Sequence, residues 1–220
     1  MSLFPRRLQA VLFDLDGVLT DTAHAHYVAW KRLADELGIP FDEAANEALK
    51  GVDRMGSLDL ILARGGVTLD DAERHALAER KNAWYVAAIE DFTPADLFPG
   101  ARDALEQVRG AGLKTALVSA SRNAPALVDR LGIADLFDCI VDPASVAHGK
   151  PAPDIFLAAA AALGVEPAAC LGVEDAPAGI AAIHAADMAA LGIGDPATLA
   201  AADRVIPTIS AFRLEDYHAG

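Results

Sequence analysis

Short apolar runs alternate with helix-patterned segments along most of the chain. The runs are residues 10–13 (AVLF), 115–118 (TALV), 139–141 (CIV) and 170–173 (CLGV). Each run is too short for a helix, and each is followed by a segment with helical spacing, which is typical of parallel strands joined by crossover helices. The pattern therefore predicts an α/β fold built on a parallel sheet.

The stretch from about residue 22 to 94 contains no strand pattern. Tyr27, Trp30, Ala34 and Leu37 recur at helical spacings of three and four, and Gly38 ends the repeat. Two further helices are predicted over about 55–65 and 70–89. We therefore predict a helical domain of residues 21–94 inserted into a core domain of residues 1–20 and 95–220. One continuous domain is the alternative.

Composition and charge limit the classes of partner. The chain has 220 residues, of which 53% are hydrophobic, enough for a sizeable core. It carries 18 Lys and Arg against 32 Asp and Glu, a net charge of −14 that repels nucleic acid. A small anion remains a possible ligand, because clustered cations dominate the field at close range.

Targeting and redox features are weak. The N-terminal apolar stretch is short and interrupted by Asp14 and Asp16, which argues against a signal peptide or membrane span. Cys139 and Cys170 both lie in apolar runs, where thiols are usually buried and reduced. We expect a cytoplasmic protein with no membrane partner, and nothing in the sequence requires more than a monomer.

Polar residues follow each predicted strand, at the edge where α/β sheets bind ligands. They are Asp14 and Asp16 after the first strand, Ser119 to Asn123 after the second, Lys150 after the third, and Glu174 with Asp175 after the fourth. Each group also has a structural interpretation. The first two acids suit a turn, and Asp175, Ser121 or Asn123 suits a helix N-cap.

Together these residue types indicate phosphoryl transfer. Four carboxylates on one rim repel one another unless protons or a cation offset their charge, and oxygen ligands suit Mg²⁺. Lys150 and Ser119 are suited to binding phosphoryl oxygens. In such a site one carboxylate can be the nucleophile and a second, two residues away, the general acid and base.

Four motifs in order identify a family resemblance. They are DLDGVLTDT at residues 14–22, VSASRN at 118–123, KPAPD at 150–154 and GVEDAPAG at 172–179. The set resembles the haloacid dehalogenase superfamily. In the insertion, the residues that resemble the hexose-phosphate mutase branch of that superfamily are Thr22, His26, Ala29 to Lys31, Leu49 to Val52, Arg54, Ser57 and Arg80 to Asn82.

The resemblance implies a Rossmann-like core with a four-helix cap and assigns roles to residues. Asp14 would be phosphorylated and Asp16 would be the acid and base, while Mg²⁺ would be held by Asp14, the Asp16 carbonyl and Asp175, with Glu174 adjacent. The implied phosphate-binding residues of the core are Ser119, Ala120, Ser121, Arg122, Asn123 and Lys150. The implied substrate-binding residues of the cap are Thr22, His26, Lys50, Gly51, Arg54, Ser57 and Lys81.

The implied reaction interconverts β-glucose 1-phosphate and glucose 6-phosphate through β-glucose 1,6-bisphosphate. A sugar-phosphate phosphatase is the alternative, because water can also attack an aspartyl phosphate, and a non-catalytic phosphate-binding protein is a third class. A mutase must exclude water and hold a second phosphate, for which Lys50, Arg54 and Lys81 are the candidates.

Some residues leave other interpretations open. Thr22 suits a helix cap, His26 and Arg54 suit an exposed surface, and Lys81 suits a snorkelling side chain. Four positions depart from the expected pattern: Arg122 replaces a lysine, Asp53 replaces a small neutral residue, and His148-Gly149 replaces a small residue followed by serine. An inward-pointing Asp53 would weaken phosphate attraction.

Overall fold

A six-stranded parallel sheet forms the centre of the protein. The computed structural model describes residues 7–217, so residues 1–6 and 218–220 of the predicted core domain lie outside the described residues. The strands are β1 (Ala10–Phe13), β2 (Lys114–Leu117), β3 (Cys139–Ile140), β4 (Cys170–Glu174), β5 (Ala189–Ile193) and β6 (Arg204–Ile206), in the order β3-β2-β1-β4-β5-β6. The predicted α/β fold with a parallel sheet is confirmed.

The central position of β1 determines where the chemistry lies. Ala10 is in register with Lys114 of β2 on one side and with Cys170 of β4 on the other. Because all three strands run parallel, their carboxyl ends lie level at one edge of the sheet. Residues that follow Phe13, Leu117 and Glu174 are therefore neighbours in space.

Two strands, β5 and β6, were not predicted from the sequence. β5 has the sequence AALGI and follows an alanine-rich helix, so its small residues continue a helical pattern. The change of direction occurs at Asp187, a non-glycine residue with a φ of 59°. This turn is a matter of backbone conformation that hydrophobic spacing does not encode.

Helices cover both faces of the sheet. They are α5 (Ala101–Gly110), α6 (Ala124–Arg130), α7 (Asp154–Leu163) and α8 (Pro177–Ala185). Val11 and Phe13 of β1 point into one hydrophobic cluster with α5 and α6, while Ala10 and Leu12 point into another with α7 and α8. This alternation gives three layers and leaves the carboxyl edge open for ligands.

The helical insertion between β1 and α5 consists of α1 (Ala23–Glu36), α2 (Glu43–Glu47), α3 (Arg54–Gly65) and α4 (Asp71–Ala88). Hydrophobic spacing indicated α1, α3 and α4 but missed α2, which has only five residues. The insertion has a hydrophobic cluster of its own, with Trp30, Leu33, Leu58 and Ile61 at its centre. The predicted domain boundaries stay a prediction.

The two chain segments that join the insertion to the sheet lie side by side. Thr20 forms an isolated bridge with Leu97, and the amide of Phe98 donates to the carbonyl of Leu19 at 2.9 Å. The Thr20 hydroxyl adds a bond of 2.7 Å to the carbonyl of Asp96. These contacts hold the insertion next to the carboxyl end of β1.

Two smaller predictions concern the cysteines and the membrane. Cys139 and Cys170 are both free thiols; Cys170 is buried, as expected, whereas Cys139 is half-buried. Between residues 7 and 217, no helix has the length and apolarity needed to cross a membrane.

Candidate active site

A cleft of about 800 Å³ lies between the carboxyl edge of the sheet and the helical insertion. A volume of this size is typical of small-molecule sites. The candidate residues that line it are Asp14, Asp16, Thr22, His26, Lys50, Gly51, Arg54, Ser57, Lys81, Ala120, Ser121, Arg122, Asn123, Lys150 and Asp175. Ser119 and Glu174 are buried directly behind this lining.

Lys150 joins two buried carboxylates at the base of the cleft. Its Nζ lies 2.6 Å from Oδ1 of Asp14 and 2.7 Å from Oε2 of Glu174. Burial lowers the pKa of Lys150, but the two carboxylates outweigh that effect and raise the pKa above its usual value. Lys150 is therefore a fixed positive charge beside Asp14.

Glu174 is held from several sides. Its Oε1 accepts hydrogen bonds from the amides of Asp175, at 3.0 Å, and Ala176, at 3.2 Å, while Oε2 contacts Lys150. A Cβ at Gly179 would overlap the same carboxylate, so α8 approaches Glu174 this closely only because residue 179 is glycine. Glu174 thus positions Lys150 as well as contributing charge.

Asp14, Glu174 and Asp175 form an acidic cluster whose ligand atoms all lie within 4.8 Å of one another. Burial raises the pKa of Asp14 to about 8; Lys150 opposes this shift, whereas Glu174 and Asp16 add to it. Burial, with Glu174 and Asp14, likewise raises the pKa of Asp175 well above its usual value.

The acidic cluster fits a hard divalent cation. Its three carboxylates outnumber the one ammonium, so a cation would offset the excess charge and favour ionised Asp14 and Asp175. Gly17, with a φ of 87°, leaves room for Asp175, because a Cβ at residue 17 would overlap its carboxylate.

Asp16 has a different environment from Asp14. Thr22 Oγ1 donates to its Oδ1, and Ser119 Oγ donates to its Oδ2 at 3.3 Å. Burial raises the pKa of Asp16, while these two hydrogen bonds lower it. Its carboxylate lies outside the acidic cluster, so any metal ligand from this residue would be the backbone carbonyl expected from the resemblance.

Two helix-cap interpretations from the sequence are wrong. Thr22 occupies the N-cap position of α1, yet its hydroxyl bonds Asp16 and caps no helix amide. Asp175 is not the N-cap of α8, since Ala176 holds that position without a side-chain bond. Both residues thus direct their polar groups to the cleft rather than to a helix end.

Lys81, which is buried, and His26, which is half-buried, form a pair in the wall of the insertion. The Nζ of Lys81 lies 2.9 Å from Nδ1 of His26, whose ring packs against that of Tyr85 with 4.0 Å between centroids and 31° between the ring planes. Lys81 is only 3% exposed and lies 4.4 Å from the ring centre of Trp30, so it does not snorkel to solvent.

Burial, with Arg54, lowers the pKa of Lys81 to about 7. Burial also lowers the pKa of His26 well below its usual value, and the charges of Lys81 and Arg54 add to the effect. The Nδ1 atom of neutral His26 can therefore accept a hydrogen bond from Lys81. An incoming anion would stabilise the charged form of Lys81.

The other two cations of the insertion that were predicted to bind substrate are paired with acids that the sequence analysis did not identify. Arg54 Nη1 lies 2.6 Å from Oε1 of Glu79, and Lys50 Nζ lies 2.9 Å from Oε2 of Glu47. All four residues line the cleft, so an anionic substrate would compete with Glu79 and Glu47. Arg122 lines the core side and is exposed.

Residues 50–53 of the insertion lie against the core. Gly51 has a φ of 73°, and a Cβ there would lie 3.3 Å from that of Ala176. Asp53 is the N-cap of α3, with Oδ1 accepting from Met55 at 2.9 Å and Gly56 at 3.0 Å. The weakening of phosphate attraction expected from Asp53 is thus reduced, because its carboxylate is bonded to helix amides.

Ser57, also on α3, is buried beneath the loop. Its hydroxyl donates to the carbonyl of Val52 at 3.4 Å, which ties α3 to the loop before it.

His148, which departs from the expected pattern, has a side chain that is 74% exposed and pairs with Asp154 at 3.1 Å. It is absent from the cleft lining, although its neighbour Gly149 is part of that lining.

The loop after β2 is organised by hydroxyl groups. Ser119 Oγ accepts from the amide of Ser121 at 3.0 Å, and Ser121 Oγ accepts from the amide of Asn123 at 3.2 Å. Asn123 occupies the N-cap position of α6, but its side chain makes no capping bond. Instead, its Nδ2 donates to Oδ1 of Asn82 on α4 at 2.9 Å.

Asn82, Glu79 and Tyr85 are cleft residues that were not among the candidates. They lie on α4 with Lys81, at spacings of one to six residues. Residues three or four positions apart share one face of a helix. Ala78 and Tyr85 therefore lie on the same face as Lys81, and Tyr85 lies on the same face as Asn82. This shared face was the signal from which further cleft residues of α4 could have been predicted. The resemblance already included Asn82 but assigned it no role.

Comparisons with known proteins match most of the chain. A family model described as haloacid dehalogenase-like hydrolase matches residues 8–187. The chain is 48% identical over 213 residues to a β-phosphoglucomutase of Bacillus subtilis (strain 168), covering 96% of this chain and 94% of that protein. It is 32% identical to a fructose-1-phosphate phosphatase of Escherichia coli (strain K12), covering 82% of this chain and 93% of that protein.

The fold has a close match among solved structures. A crystal structure of β-phosphoglucomutase from Clostridium difficile superposes with a TM-score of 0.93 at 42% sequence identity. The match covers 96% of this chain and 97% of the other. The similarity therefore extends through the helical insertion as well as the sheet.

Proposed function

The chain belongs to the haloacid dehalogenase-like hydrolase family, and on that premise we propose that it is a β-phosphoglucomutase. The proposed reaction interconverts β-D-glucose 1-phosphate and D-glucose 6-phosphate, with β-glucose 1,6-bisphosphate as the intermediate. The observation that carries the proposal is 48% identity to a relative of that name across 96% of the chain, including the insertion.

Asp14 is the proposed nucleophile. A carboxylate oxygen of Asp14 attacks the phosphorus atom, the bond from phosphorus to the sugar oxygen breaks, and an aspartyl phosphate forms. Lys150, 2.6 Å from Asp14, is placed to balance negative charge on the transferring group. In the reverse step the aspartyl phosphate gives its phosphoryl group to the free hydroxyl of a sugar monophosphate, which forms the bisphosphate. The bisphosphate then returns its other phosphoryl group to Asp14, and the isomeric monophosphate leaves.

Asp16 is the proposed general acid and base. It protonates the sugar oxygen that leaves phosphorus and takes the proton from the hydroxyl that attacks the aspartyl phosphate. The hydrogen bonds from Thr22 and Ser119 orient its carboxyl group, and burial favours its protonated form. The separate environments of Asp14 and Asp16 suit separate roles.

Mg²⁺ is the proposed cofactor, held by Asp14, Asp175 and the Asp16 carbonyl, with Glu174 adjacent. When bound, it would neutralise charge on the phosphoryl group in the transition state. Asp14 and Asp175 belong to the acidic cluster, and their raised pKa values are the property that a cation would reverse.

The insertion supplies the argument for a mutase over a phosphatase. A mutase must hold the phosphate that is not reacting, and Lys50, Arg54 and Lys81 line the insertion side of the cleft. We assign these cations, with His26, Gly51 and Ser57, to the sugar and its far phosphate. On the core side we assign Ser119, Ala120, Ser121, Arg122 and Asn123 to phosphate.

A sugar-phosphate phosphatase is the second candidate, favoured by the identity to a fructose-1-phosphate phosphatase. A single assay separates the two. The protein is given β-glucose 1-phosphate, Mg²⁺ and a trace of bisphosphate, and glucose 6-phosphate and free phosphate are measured together. Glucose 6-phosphate in large excess supports the mutase, and free phosphate without the isomer would establish the phosphatase.

The same assay on Asp14→Asn tests the nucleophile. The variant should lose turnover by about 10³-fold or more while retaining the fold by circular dichroism. Normal activity would exclude Asp14 as the nucleophile. We further propose a cytoplasmic, monomeric enzyme whose partners are phosphosugars, with no nucleic-acid or membrane partner, consistent with its charge of −14.

A further inference from the structure

One side-chain hydrogen bond connects the insertion to the phosphate-binding loop of the core. Asn123 Nδ2 donates to Oδ1 of Asn82 at 2.9 Å, joining the loop after β2 to the helix α4. The two residues are 41 positions apart and both line the cleft. The bond therefore joins the insertion side of the cleft to its core side.

The surroundings of Asn123 leave its side-chain carboxamide available to two hydrogen-bond partners. Its backbone amide is bound by Ser121 Oγ, and its side chain makes no capping bond to α6. A carboxamide nitrogen has two N–H groups, of which Asn82 takes one. The second remains for a ligand in the cleft, and its direction depends on how Asn82 orients the carboxamide.

Asn82 also sits next to Lys81 on α4. Lys81 contacts His26 of α1, so α4 carries one contact to the insertion's own polar pair and one to the core. Any movement of α4 away from the sheet would break the bond to Asn123 and would move Lys81 at the same time. The bond is thus formed in an arrangement in which the insertion covers the cleft.

We propose that Asn82 is a positioning residue that orients Asn123 toward the phosphate and latches the insertion over the substrate. The inference rests on the proposed function, since it assigns Asn82 to the same cleft. It predicts that Asn82 acts through Asn123 and not as an independent ligand. A latch also excludes water, so its loss should increase hydrolysis relative to isomerisation.

A double-mutant cycle tests the coupling, with Asn82→Ala, Asn123→Ala and the combined variant. We expect Asn82→Ala to raise KM for β-glucose 1,6-bisphosphate about 3- to 10-fold with a smaller change in kcat. The free phosphate released per isomer formed should rise as well. The combined variant should resemble Asn123→Ala, because the partner of Asn82 is then already absent.

Effects that multiply in the combined variant would overturn the proposal, as would an unchanged KM in Asn82→Ala. Val86→Ala, at an exposed position of the same helix, is the matched control and should keep wild-type values. If Asn82→Ala fails to fold by circular dichroism, Asn82→Ser replaces it in the cycle and is judged by the same criteria.

Hydrogen exchange provides a readout that does not depend on the reaction. The amides of residues 119–123 should exchange faster in Asn82→Ala than in the wild type or in Val86→Ala, and unchanged exchange would exclude the latch. Failure of the proposed function would appear in the wild type itself, as absence of glucose 6-phosphate. Failure of the Asn82 proposal would appear only in the variants.

Discussion

Gly149 of the core lies directly against Asp53 of the insertion. A Cβ at residue 149 would be 2.9 Å from Oδ2 of Asp53, closer than such atoms normally approach. The carboxylate has little freedom to move, because its Oδ1 accepts two amide hydrogen bonds at the start of α3. Both residues depart from the pattern expected of the superfamily, and the structure shows that the two departures fit each other.

This contact predicts a compensating pair of substitutions. Gly149→Ser should lower kcat/KM by about 5-fold or more, because the added atoms push the insertion away from the core. Asp53→Ser shortens the opposing side chain while keeping a hydroxyl that can cap α3, so adding it should restore much of the loss. The measurement is kcat/KM of both single variants and the double variant.

Gly110→Ser is the control for this pair, because residue 110 has open space around its Cβ position. It should leave kcat/KM unchanged. Independent effects of Gly149→Ser and Asp53→Ser would mean that the close contact does not control closure of the insertion.

Arg54 should determine affinity for the second phosphate. Removing a charge-assisted donor with Arg54→Ala is expected to weaken bisphosphate binding about 10- to 100-fold and to increase free phosphate per isomer. Arg54→Lys should be intermediate, since lysine keeps the charge but lacks the planar fork. Calorimetric titration with bisphosphate checks both variants.

Lys31→Ala also removes one positive charge from the insertion, but at a residue outside the cleft lining, paired with Asp35. It should bind bisphosphate like the wild type. Equal weakening in Lys31→Ala and Arg54→Ala would indicate a general effect of charge and contradict the assigned role.

Lys81 should make stability depend on pH. Its pKa is about 7 in the folded protein against a usual value of 10.5, so between these pH values the unfolded chain binds more protons. The free energy of unfolding contributed by Lys81 should therefore rise from pH 7 to about 10.5 and be least favourable below pH 7. His26, Arg54 and Asp16 face the same ammonium and influence the curve.

Comparison with Lys81→Met isolates this contribution. Urea unfolding at pH 6 and pH 9 should show a smaller gain in stability with pH for Lys81→Met than for the wild type. The same gain in both proteins would mean that Lys81 titrates normally. Lys31→Met serves as the control, because that ammonium is at the surface.

The acidic cluster should respond to magnesium. Mg²⁺ should raise the Tm of the wild type, by the equivalent of about 2.7 kcal/mol when its concentration is 100 times Kd, and a chelator should reverse the rise. Without metal, Asp175→Asn should be more stable than the wild type, because it removes a half-buried like charge next to Glu174 and Asp14.

With metal, Asp175→Asn should gain less stability than the wild type. Asp91→Asn, an exposed acid away from the cleft lining, should gain as much as the wild type does. Differential scanning fluorimetry with and without Mg²⁺ gives all the required values. An equal gain in Asp175→Asn would remove Asp175 from the set of metal ligands.

The sequence by itself determined the parallel sheet, the helical insertion and the edge on which the chemistry lies. Short apolar runs and helical spacing report burial over a few neighbouring residues, and parallel topology then brings the strand ends together. Asp14, Asp16, Lys150 and Asp175 could be grouped in this way before any contact was known. β5 could not be identified, because its small residues prolong the pattern of α8.

Only the tertiary structure decided which side chains are partners. Lys150 lies 136 positions from Asp14, and Asn123 lies 41 from Asn82. Gly149 is matched to Asp53 across the cleft between the sheet and the insertion. Such pairs depend on how two packed layers meet, and packing distances of a few ångströms leave no periodic signal in the chain.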